Sequence, residues 1–239
     1  MTYLQFHLVF IVPPIVLLAW LCARRWGPVR TGRHPVLAVL IIMAAAVLYT
    51  SIWDNYLIYR GVWSYGTDRV LGTIGYVPVE EYLFFLLQPV LTSLFLYAII
   101  VEELPQERPV SPRVRLVGAV CFAVLFVAGV ALMWGDESGL YLGLIMGWSC
   151  PILALQWGLR GDVLWSHRRL IITSILVPTI YLWIADGTAI ALGIWEIAEA
   201  TTLGLSIGVL PVEEAVFFLA TNVMVVFGVA LLLPIQRPE

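Results

Sequence analysis

Residues 78–85 read PVEEYLFF, and residues 211–218 read PVEEAVFF. Each copy opens a long apolar run in a chain that is 61% hydrophobic and only 12% charged. An ionisable side chain inside a membrane segment costs about 2.5–3.5 kcal/mol on insertion scales, so its presence indicates a functional site. We therefore expect the four glutamates of the two copies to be catalytic: Glu80, Glu81, Glu213 and Glu214.

The composition predicts a polytopic membrane protein, because the 239 residues have a mean hydropathy of +0.94. All 13 basic residues are arginines, and the lack of lysine excludes a retinal protein with a Schiff base. Cys22, Cys121 and Cys150 lie in apolar runs and indicate small buried side chains. Because no dinucleotide, phosphate or metal-ligand motif is present, we expect no cofactor, no metal and no nucleic-acid partner.

Apolar stretches of about 20 residues predict an all-α fold with seven transmembrane helices. We place the helices near residues 3–23, 36–58, 78–100, 114–134, 139–158, 169–187 and 206–233.

The arginines predict the orientation of these helices, since cytoplasmic loops carry an excess of basic residues. Arg60 and Arg69 lie on one side, and eleven arginines lie on the other. The N-terminus is therefore expected outside and the C-terminus in the cytoplasm of the cell membrane. The eleven are Arg24, Arg25, Arg30, Arg33, Arg108, Arg113, Arg115, Arg160, Arg168, Arg169 and Arg237.

A sequence repeat extends beyond the octapeptide. Asp54 and Trp63 match Asp186 and Trp195 at the same spacing. The two copies are separated by about four helices, and an even number of crossings gives parallel repeats. We therefore expect two parallel three-helix repeats and one linker helix between them. The expected boundaries are 1–100 for the first repeat, 101–135 for the linker and 136–239 for the second repeat.

Pro78 and Pro211 are expected in the first turn of their helices, where proline is well tolerated. The segments before them, 70–77 and 203–210, are also apolar. The glutamate pairs are therefore expected below the lipid headgroups, on a kinked or re-entrant segment.

An acid beside aromatic rings suits one chemistry in particular, the protonation of an alkene. The rings then stabilise the carbocation by cation–π attraction, about 0.5–2 kcal/mol for each ring, and a carboxylate removes a proton at the end. Phe84 and Phe85 follow Glu80 and Glu81 by four residues, which puts each ring on the same helix face as a carboxyl group. The second copy repeats this arrangement with Phe217 and Phe218.

Two of the other polar residues have two interpretations each. Asp54 and Asp186 lie near helix ends, where they either reach toward the membrane interface or contact substrate. Trp63 and Trp195 are interpreted as residues of the interfacial aromatic belt. The three histidines, including His7, share no spacing and are interpreted as non-catalytic.

The doubled motif resembles that of the integral-membrane, non-flavin lycopene cyclases, in the fused two-repeat form of the family. In that family the Pro-x-Glu-Glu/Asp motif is held to be essential, and Pro78 to Glu81 and Pro211 to Glu214 match it. The resemblance covers both repeats and nearly the whole chain.

The resemblance implies a lycopene beta-cyclase, an isomerase of carotenoid biosynthesis that forms rings at the ends of lycopene on the way to γ- and β-carotene. The substrate would come from the bilayer, so lycopene and membrane lipid are the expected partners, with other carotenoid-pathway enzymes as further ones. The reaction needs an acid, a base and a dry aromatic wall. Phe84, Phe85, Phe217 and Phe218, with Asp54 and Asp186, are the expected substrate contacts.

Two alternative functions stay open on the residues alone. Parallel repeats with proline-interrupted helices also occur in small-solute transporters. A cyclase acting on a longer or modified carotenoid, or forming another ring isomer, would use the same side chains.

Overall fold

The computed structural model describes residues 1–25, 33–100 and 112–233, and seven long helices dominate them. All seven are long and apolar enough to cross a membrane, which confirms the predicted all-α, multi-pass fold. Helix α1 runs from Tyr3–Phe6 through a π-helical turn, His7–Ile11, to Val12–Arg25. The other helices are α2 (Arg33–Tyr59), α3 (Val79–Ile99), α4 (Pro112–Met133), α5 (Leu140–Ser166), α6 (Arg168–Ala191) and α7 (Val212–Leu232).

Part of the sequence interpretation concerns residues that are not described. Arg30, Arg108 and Arg237, used to predict the orientation, lie outside the described residues, as does the first part of the predicted linker, 101–111. The orientation and the repeat boundaries remain predictions.

Short strands fill the loops before α3 and α7. They are β1 (Trp63–Tyr65), β2 (Thr73–Ile74), β3 (Val77–Pro78), β4 (Trp195–Ile197), β5 (Ser206–Ile207) and β6 (Leu210–Pro211). Strands β2 and β3 form one antiparallel hairpin, and β5 and β6 form a second. Strand β1 pairs antiparallel with β4, so the loop of one sequence copy is joined to the loop of the other.

The predicted start of the last helix, at residue 206, is wrong, because a hairpin precedes the helix. Residues 206–211 form β5, a turn and β6, and α7 begins only at Val212. Gly75 and Gly208 occupy the turns with φ of +67° and +66°, a backbone conformation that glycine adopts without steric cost. Each segment is therefore a hairpin, where the sequence predicted a kinked or re-entrant segment.

The motif prolines lie just before their helices and not in the first helical turn, where the sequence predicts them. Pro78 and Pro211 are the N-cap residues, with extended ψ angles of 147° and 145°. Each proline therefore ends a strand, and the first helical residue is the valine that follows it. Both glutamates of each copy remain in the first helical turn.

Helix α5 also exceeds its predicted end at residue 158. The backbone leaves the helical region at Arg160, with φ of −147° and ψ of 33°, and helix then resumes as far as Ser166. The apolar pattern ends near this break, which is why the sequence predicts a shorter helix.

One end of the bundle collects the starts of α1, α3, α5 and α7 and the ends of α2 and α6. The backbone N–H of Tyr3 donates to the carbonyl of Arg69 at 2.9 Å. The Arg69 guanidinium in turn donates to the carbonyls of Met1 at 3.1 Å and Leu192 at 3.4 Å. The N-terminus and the two paired loops therefore form one continuous cap over this end, which we call the motif end.

A buried amide joins α3, α6 and α7 in the middle of the bundle. The Asn222 oxygen accepts hydrogen bonds from Gln88 Nε2 at 2.9 Å and Thr92 Oγ1 at 2.5 Å. The Asn222 nitrogen donates to Thr179 Oγ1 at 3.1 Å and to the Phe218 carbonyl at 2.9 Å. The four polar side chains are buried, so this network ties the two motif helices, α3 and α7, to each other and to α6.

Replacing Asn222 with Leu is expected to lower the stability of the folded bundle. Interhelical hydrogen bonds in membranes average about 0.6 kcal/mol and reach about 1.7 kcal/mol, so the loss of three should cost roughly 1–3 kcal/mol. Unfolding by a denaturing detergent in mixed micelles would measure it. Thr188→Ala is the control, because the half-buried Thr188 hydroxyl donates to the Ile184 carbonyl of its own helix and, among the described residues, joins no second helix. Equal midpoints for both variants would contradict the assigned role.

Candidate active site

The two sequence motifs meet in one cleft at the motif end. Glu81 comes from α3 and Glu214 from α7, and the two carboxyl groups interact electrostatically with each other. Both are almost completely buried. Most of the other lining is aromatic, contributed by helices α1, α3 and α7 and by the paired strands β1 and β4. The remaining lining residues are Tyr3, Phe6, Trp63, Tyr65, Phe84, Leu182, Asp186, Trp195, Phe217 and Phe218.

Glu81 is held by two phenols from different elements. The Tyr3 hydroxyl, at the start of α1, donates to Glu81 Oε2 at 2.5 Å. The Tyr65 hydroxyl, on β1, donates to the same oxygen at 3.2 Å. Desolvation, followed by the nearby Glu81 charge, raises the pKa of Tyr65 well above its usual value. The Tyr65 phenol therefore stays protonated and remains a hydrogen-bond donor.

Glu214 is held by one phenol and one indole. The Tyr141 hydroxyl, at the start of α5, donates to Glu214 Oε1 at 2.6 Å. Trp63 Nε1, on β1, donates to the same oxygen at 3.0 Å. Trp63 belongs to the first sequence copy and Glu214 to the second, so one half of the chain completes the carboxyl site of the other.

The surroundings of the two carboxyls are similar but not identical. Tyr65 follows Trp63 by two residues, and Ile197 occupies the matching place after Trp195. The phenol that reaches Glu81 from β1 therefore has no counterpart on β4. Trp195 Nε1 donates to Asp186 Oδ1 at 2.9 Å, where Trp63 donates to Glu214.

Glu80 and Glu213 have a different position from their neighbours. Glu80 Oε1 accepts the backbone N–H of Leu71 at 2.9 Å, and Glu213 Oε1 accepts the backbone N–H of Leu203 at 2.7 Å. Both side chains are buried, and neither lines the cleft. Each one fixes the loop before its hairpin to the first turn of the motif helix. The sequence treats all four glutamates alike, and the geometry separates them into two kinds.

The two aspartates lie close to the cleft glutamates. Asp54 on α2 is fully buried at 0% exposure and interacts electrostatically with Glu81 and Glu214. Neither of its oxygens has a hydrogen-bond partner among the described residues. Asp186 on α6 lines the cleft directly. The prediction that both side chains reach toward the membrane interface is therefore wrong, and their contact with substrate remains a prediction.

The four motif phenylalanines divide between two cavities. Phe84, Phe217 and Phe218 line the cleft. Phe85 lines an adjoining groove and not the cleft, and its expected contact with substrate remains a prediction. Phe84 also borders this groove together with Phe217.

Several side chains at the site have no prominent sequence signal. Tyr3, Tyr65 and Tyr141 are single tyrosines in apolar surroundings, and only folding brings them to the glutamates. The repeated Trp63 and Trp195 do carry a signal, but the interpretation as belt residues is wrong because both indoles donate to buried carboxyl groups. His7 stacks on Tyr3 with ring centres 4.8 Å apart and lies outside the cleft lining.

The cleft can supply acid–base chemistry. The carboxyl groups of Glu81, Glu214 and Asp186 face one space whose walls are mostly aromatic rings, and the hydrogen-bond donors that hold Glu81 and Glu214 come from α1, α5 and β1. In the parts of the chain that the structure describes, no group of three or more His, Cys, Asp or Glu residues could hold a metal ion.

The chain is similar to known proteins along nearly its whole length. Residues 1–100 and 138–232 match the family described as lycopene cyclase. A protein named lycopene beta-cyclase from Halobacterium salinarum is 40% identical over 96% of this chain and 95% of the relative.

Longer fungal proteins are similar too. The bifunctional lycopene cyclase/phytoene synthase of Aspergillus niger is 40% identical over 80% of this chain, which corresponds to 34% of that protein. The protein of the same name from Phycomyces blakesleeanus is 34% identical over 95% of this chain and 38% of its own length. No solved structure matches the chain. The family match and the 40% identity show that this chain belongs to the lycopene cyclase family.

Proposed function

We propose that the protein is a lycopene beta-cyclase that closes β rings at the ends of lycopene by acid–base catalysis. The observation that carries the proposal is the meeting of Glu81 and Glu214, one from each motif copy, in a single cleft walled by aromatic rings. The identity with the Halobacterium salinarum protein supports the choice of reaction.

The reaction adds one proton and removes another, so the substrate is isomerised without a redox change. One cleft glutamate, as the acid, gives its proton to the terminal double bond of lycopene, which leaves a tertiary cation. The next double bond attacks this cation, and the new carbon–carbon bond closes the ring and moves the charge to a ring carbon. The other glutamate, as the carboxylate, removes the adjacent ring proton, and the C–H electron pair becomes the ring double bond.

The aromatic wall stabilises the charge between these two steps. Rings within about 6 Å of a cation attract it through their π faces, and the attraction grows as water is excluded. Phe84, Phe217 and Phe218 are buried and surround the space between the two carboxyls. A dry cleft also protects the cation from capture by water.

Glu80 and Glu213 act in this proposal as positioning residues. Their carboxyl oxygens hold the backbone of Leu71 and Leu203 and thereby fix the loops from which β1 and β4 extend into the cleft. Trp63, Tyr65 and Trp195 on these strands then hold the catalytic carboxyls and Asp186.

The repeat boundaries and the location form part of the same proposal. Residues 1–100 and 136–239 are two cyclase repeats, joined by the linker 101–135, and the two-part family match supports this division. Arg60 follows α2 at the motif end, and Arg69 belongs to the cap there. With the other described arginines toward the opposite ends of their helices, the cleft faces the outer leaflet of the cell membrane. Lycopene enters from the bilayer.

Expression in a lycopene-accumulating bacterium tests the function. Red cells should turn orange-yellow, and extraction should give ring-bearing products whose mass equals that of lycopene. An empty vector is the control. Intact protein in the membrane without any change in the carotenoid would contradict the proposal and favour a transporter, and a product with another ring isomer would contradict the assigned β ring.

Neutral glutamine at the cleft positions is expected to stop the reaction. Glu81→Gln and Glu214→Gln each remove a group that donates or accepts the transferred proton, which should lower the rate by about 10²–10⁴-fold. Glu80→Gln and Glu213→Gln keep an oxygen that accepts the backbone N–H, so their rates should fall by about tenfold or less. Product per unit of membrane-inserted protein is the measurement.

The exposed Glu196 on β4 gives the matched control, since Glu196→Gln changes the same group away from the cleft. Its rate should equal that of the unchanged protein. Loss of activity in Glu80→Gln as complete as in Glu81→Gln, with both proteins folded, would refute the division of roles.

A further inference from the structure

A second cavity of about 430 Å³ lies beside the cleft, between α2, α3, α5 and α7. This volume falls within the range of about 300–1,000 Å³ that is usual for small-molecule sites. We call it the lateral groove. Among the described residues, no charged side chain lines it.

The groove lies next to the cleft, which itself has a volume of about 30 Å³. Phe84 and Phe217 border both cavities, so the two rings stand between the carboxyl groups and the groove. These two rings are therefore the boundary that a molecule reaching from the groove to Glu81 and Glu214 has to pass.

The groove is elongated along the helices. Its lining covers residues 42–50 of α2, 148–156 of α5 and 217–225 of α7. Each stretch rises about 12 Å at about 1.5 Å per residue. Three helices thus give the same length, which means that the groove runs parallel to the bundle axis, away from the motif end.

Several polar groups of the lining are bonded within the protein, whereas Gln156 Oε1 and Trp148 Nε1 are buried without a hydrogen-bond partner among the described residues. Gln88 donates to Asn222, and the Gln156 amide donates to the Met224 carbonyl at 3.0 Å. The Thr221 hydroxyl donates to the Phe218 carbonyl at 3.0 Å. The lining is mainly apolar, which suits a ligand with a long apolar body.

The groove also opens sideways from the bundle. Leu48 and Tyr49 on its α2 rim are 73% and 40% exposed, in a helix that is apolar enough to span the membrane. The surface outside this rim is therefore lipid hydrocarbon, and a ligand dissolved in the bilayer can reach the groove without passing through water.

We propose that the lateral groove binds the polyene chain of the substrate, parallel to the helices, while the terminal isoprenoid unit occupies the cleft. This proposal rests on the proposed function for the identity of the ligand, an acyclic carotenoid hydrocarbon. The groove thereby selects long linear polyenes and aligns the reacting end with Glu81 and Glu214.

Ala46 offers a direct test, because it lines the groove where a large side chain would fill it. Ala46→Trp should lower the formation of cyclic product from lycopene by at least about tenfold, as expected when a ligand loses its place in an apolar pocket. Ala44→Trp is the matched control, since Ala44 is exposed on the same helix and does not line the groove. Its product yield should stay within about twofold of the unchanged protein.

Binding is measured separately from turnover in the purified double variant Glu81→Gln/Glu214→Gln in detergent micelles. Lycopene is achiral and should acquire a visible circular dichroism band when the groove orders its chain. Adding Ala46→Trp should abolish the band, and adding Ala44→Trp should preserve it. Full turnover or an unchanged band with Ala46→Trp would overturn the groove proposal.

Two further outcomes keep this proposal distinct from the proposed function. A band that disappears with Ala46→Trp, in a protein whose unmodified form makes no cyclic product, would support the groove and refute the cyclase. If Ala46→Trp does not fold, Ala46→Leu fills less space and should still weaken the band, and an unchanged band in that variant would overturn the proposal.

Discussion

Glu81 and Glu214 lie in a hydrocarbon-like interior and each accepts hydrogen bonds from side chains of other elements, and much of the motif end is arranged around these contacts. A buried polar group without partners costs several kcal/mol in an apolar medium. Glu81 and Glu214 each receive two donors, and the four donors come from α1, α5 and the strand β1. No single helix could supply them. The carboxyl sites therefore exist only when the helices and the loops are assembled together.

Because some of these donors lie on the loops, the carboxyl site of one sequence copy depends on residues of the other copy. Strand β1 belongs to the first sequence copy and β4 to the second, and their pairing places Trp63 against Glu214. The first glutamate of each motif, Glu80 or Glu213, fixes the preceding loop to its helix. Adjacent glutamates in the sequence thus have different tasks, because successive residues of a helix point about 100° apart. One side chain faces the cleft and the other faces the loop.

The main features of the fold can be predicted from the sequence, because the membrane leaves few alternatives. A polypeptide in hydrocarbon must satisfy its backbone hydrogen bonds internally, so apolar runs of about 20 residues become helices. The doubled octapeptide also identifies the helices that bear the acids. The hairpins before α3 and α7 are harder to predict from the sequence. Residues 203–210 are as apolar as a transmembrane helix, and only Gly208 marks the turn.

The donors of the site depend on contacts distant in sequence. Tyr3 lies 78 positions from Glu81, and Trp63 lies 151 positions from Glu214. Hydropathy and motif spacing describe local periodicity and contain no information on such pairs. The different roles of Glu80 and Glu81 likewise depend on where the loop before the hairpin passes. The motif contains two adjacent glutamates and does not indicate which of them faces that loop. The lateral groove is a product of helix packing and has no motif of its own.

The difference between Tyr65 and Ile197 has a consequence for the stereochemistry of ring closure. If both carboxyl groups had identical surroundings, a prochiral alkene could bind in two orientations related by the pseudosymmetry. The extra phenol at Glu81 and the indole at Glu214 make the two sides of the cleft distinguishable. One enantiotopic face of the terminal alkene would then always meet the acid. The two geminal methyl groups of the ring would keep separate biosynthetic origins in every molecule formed.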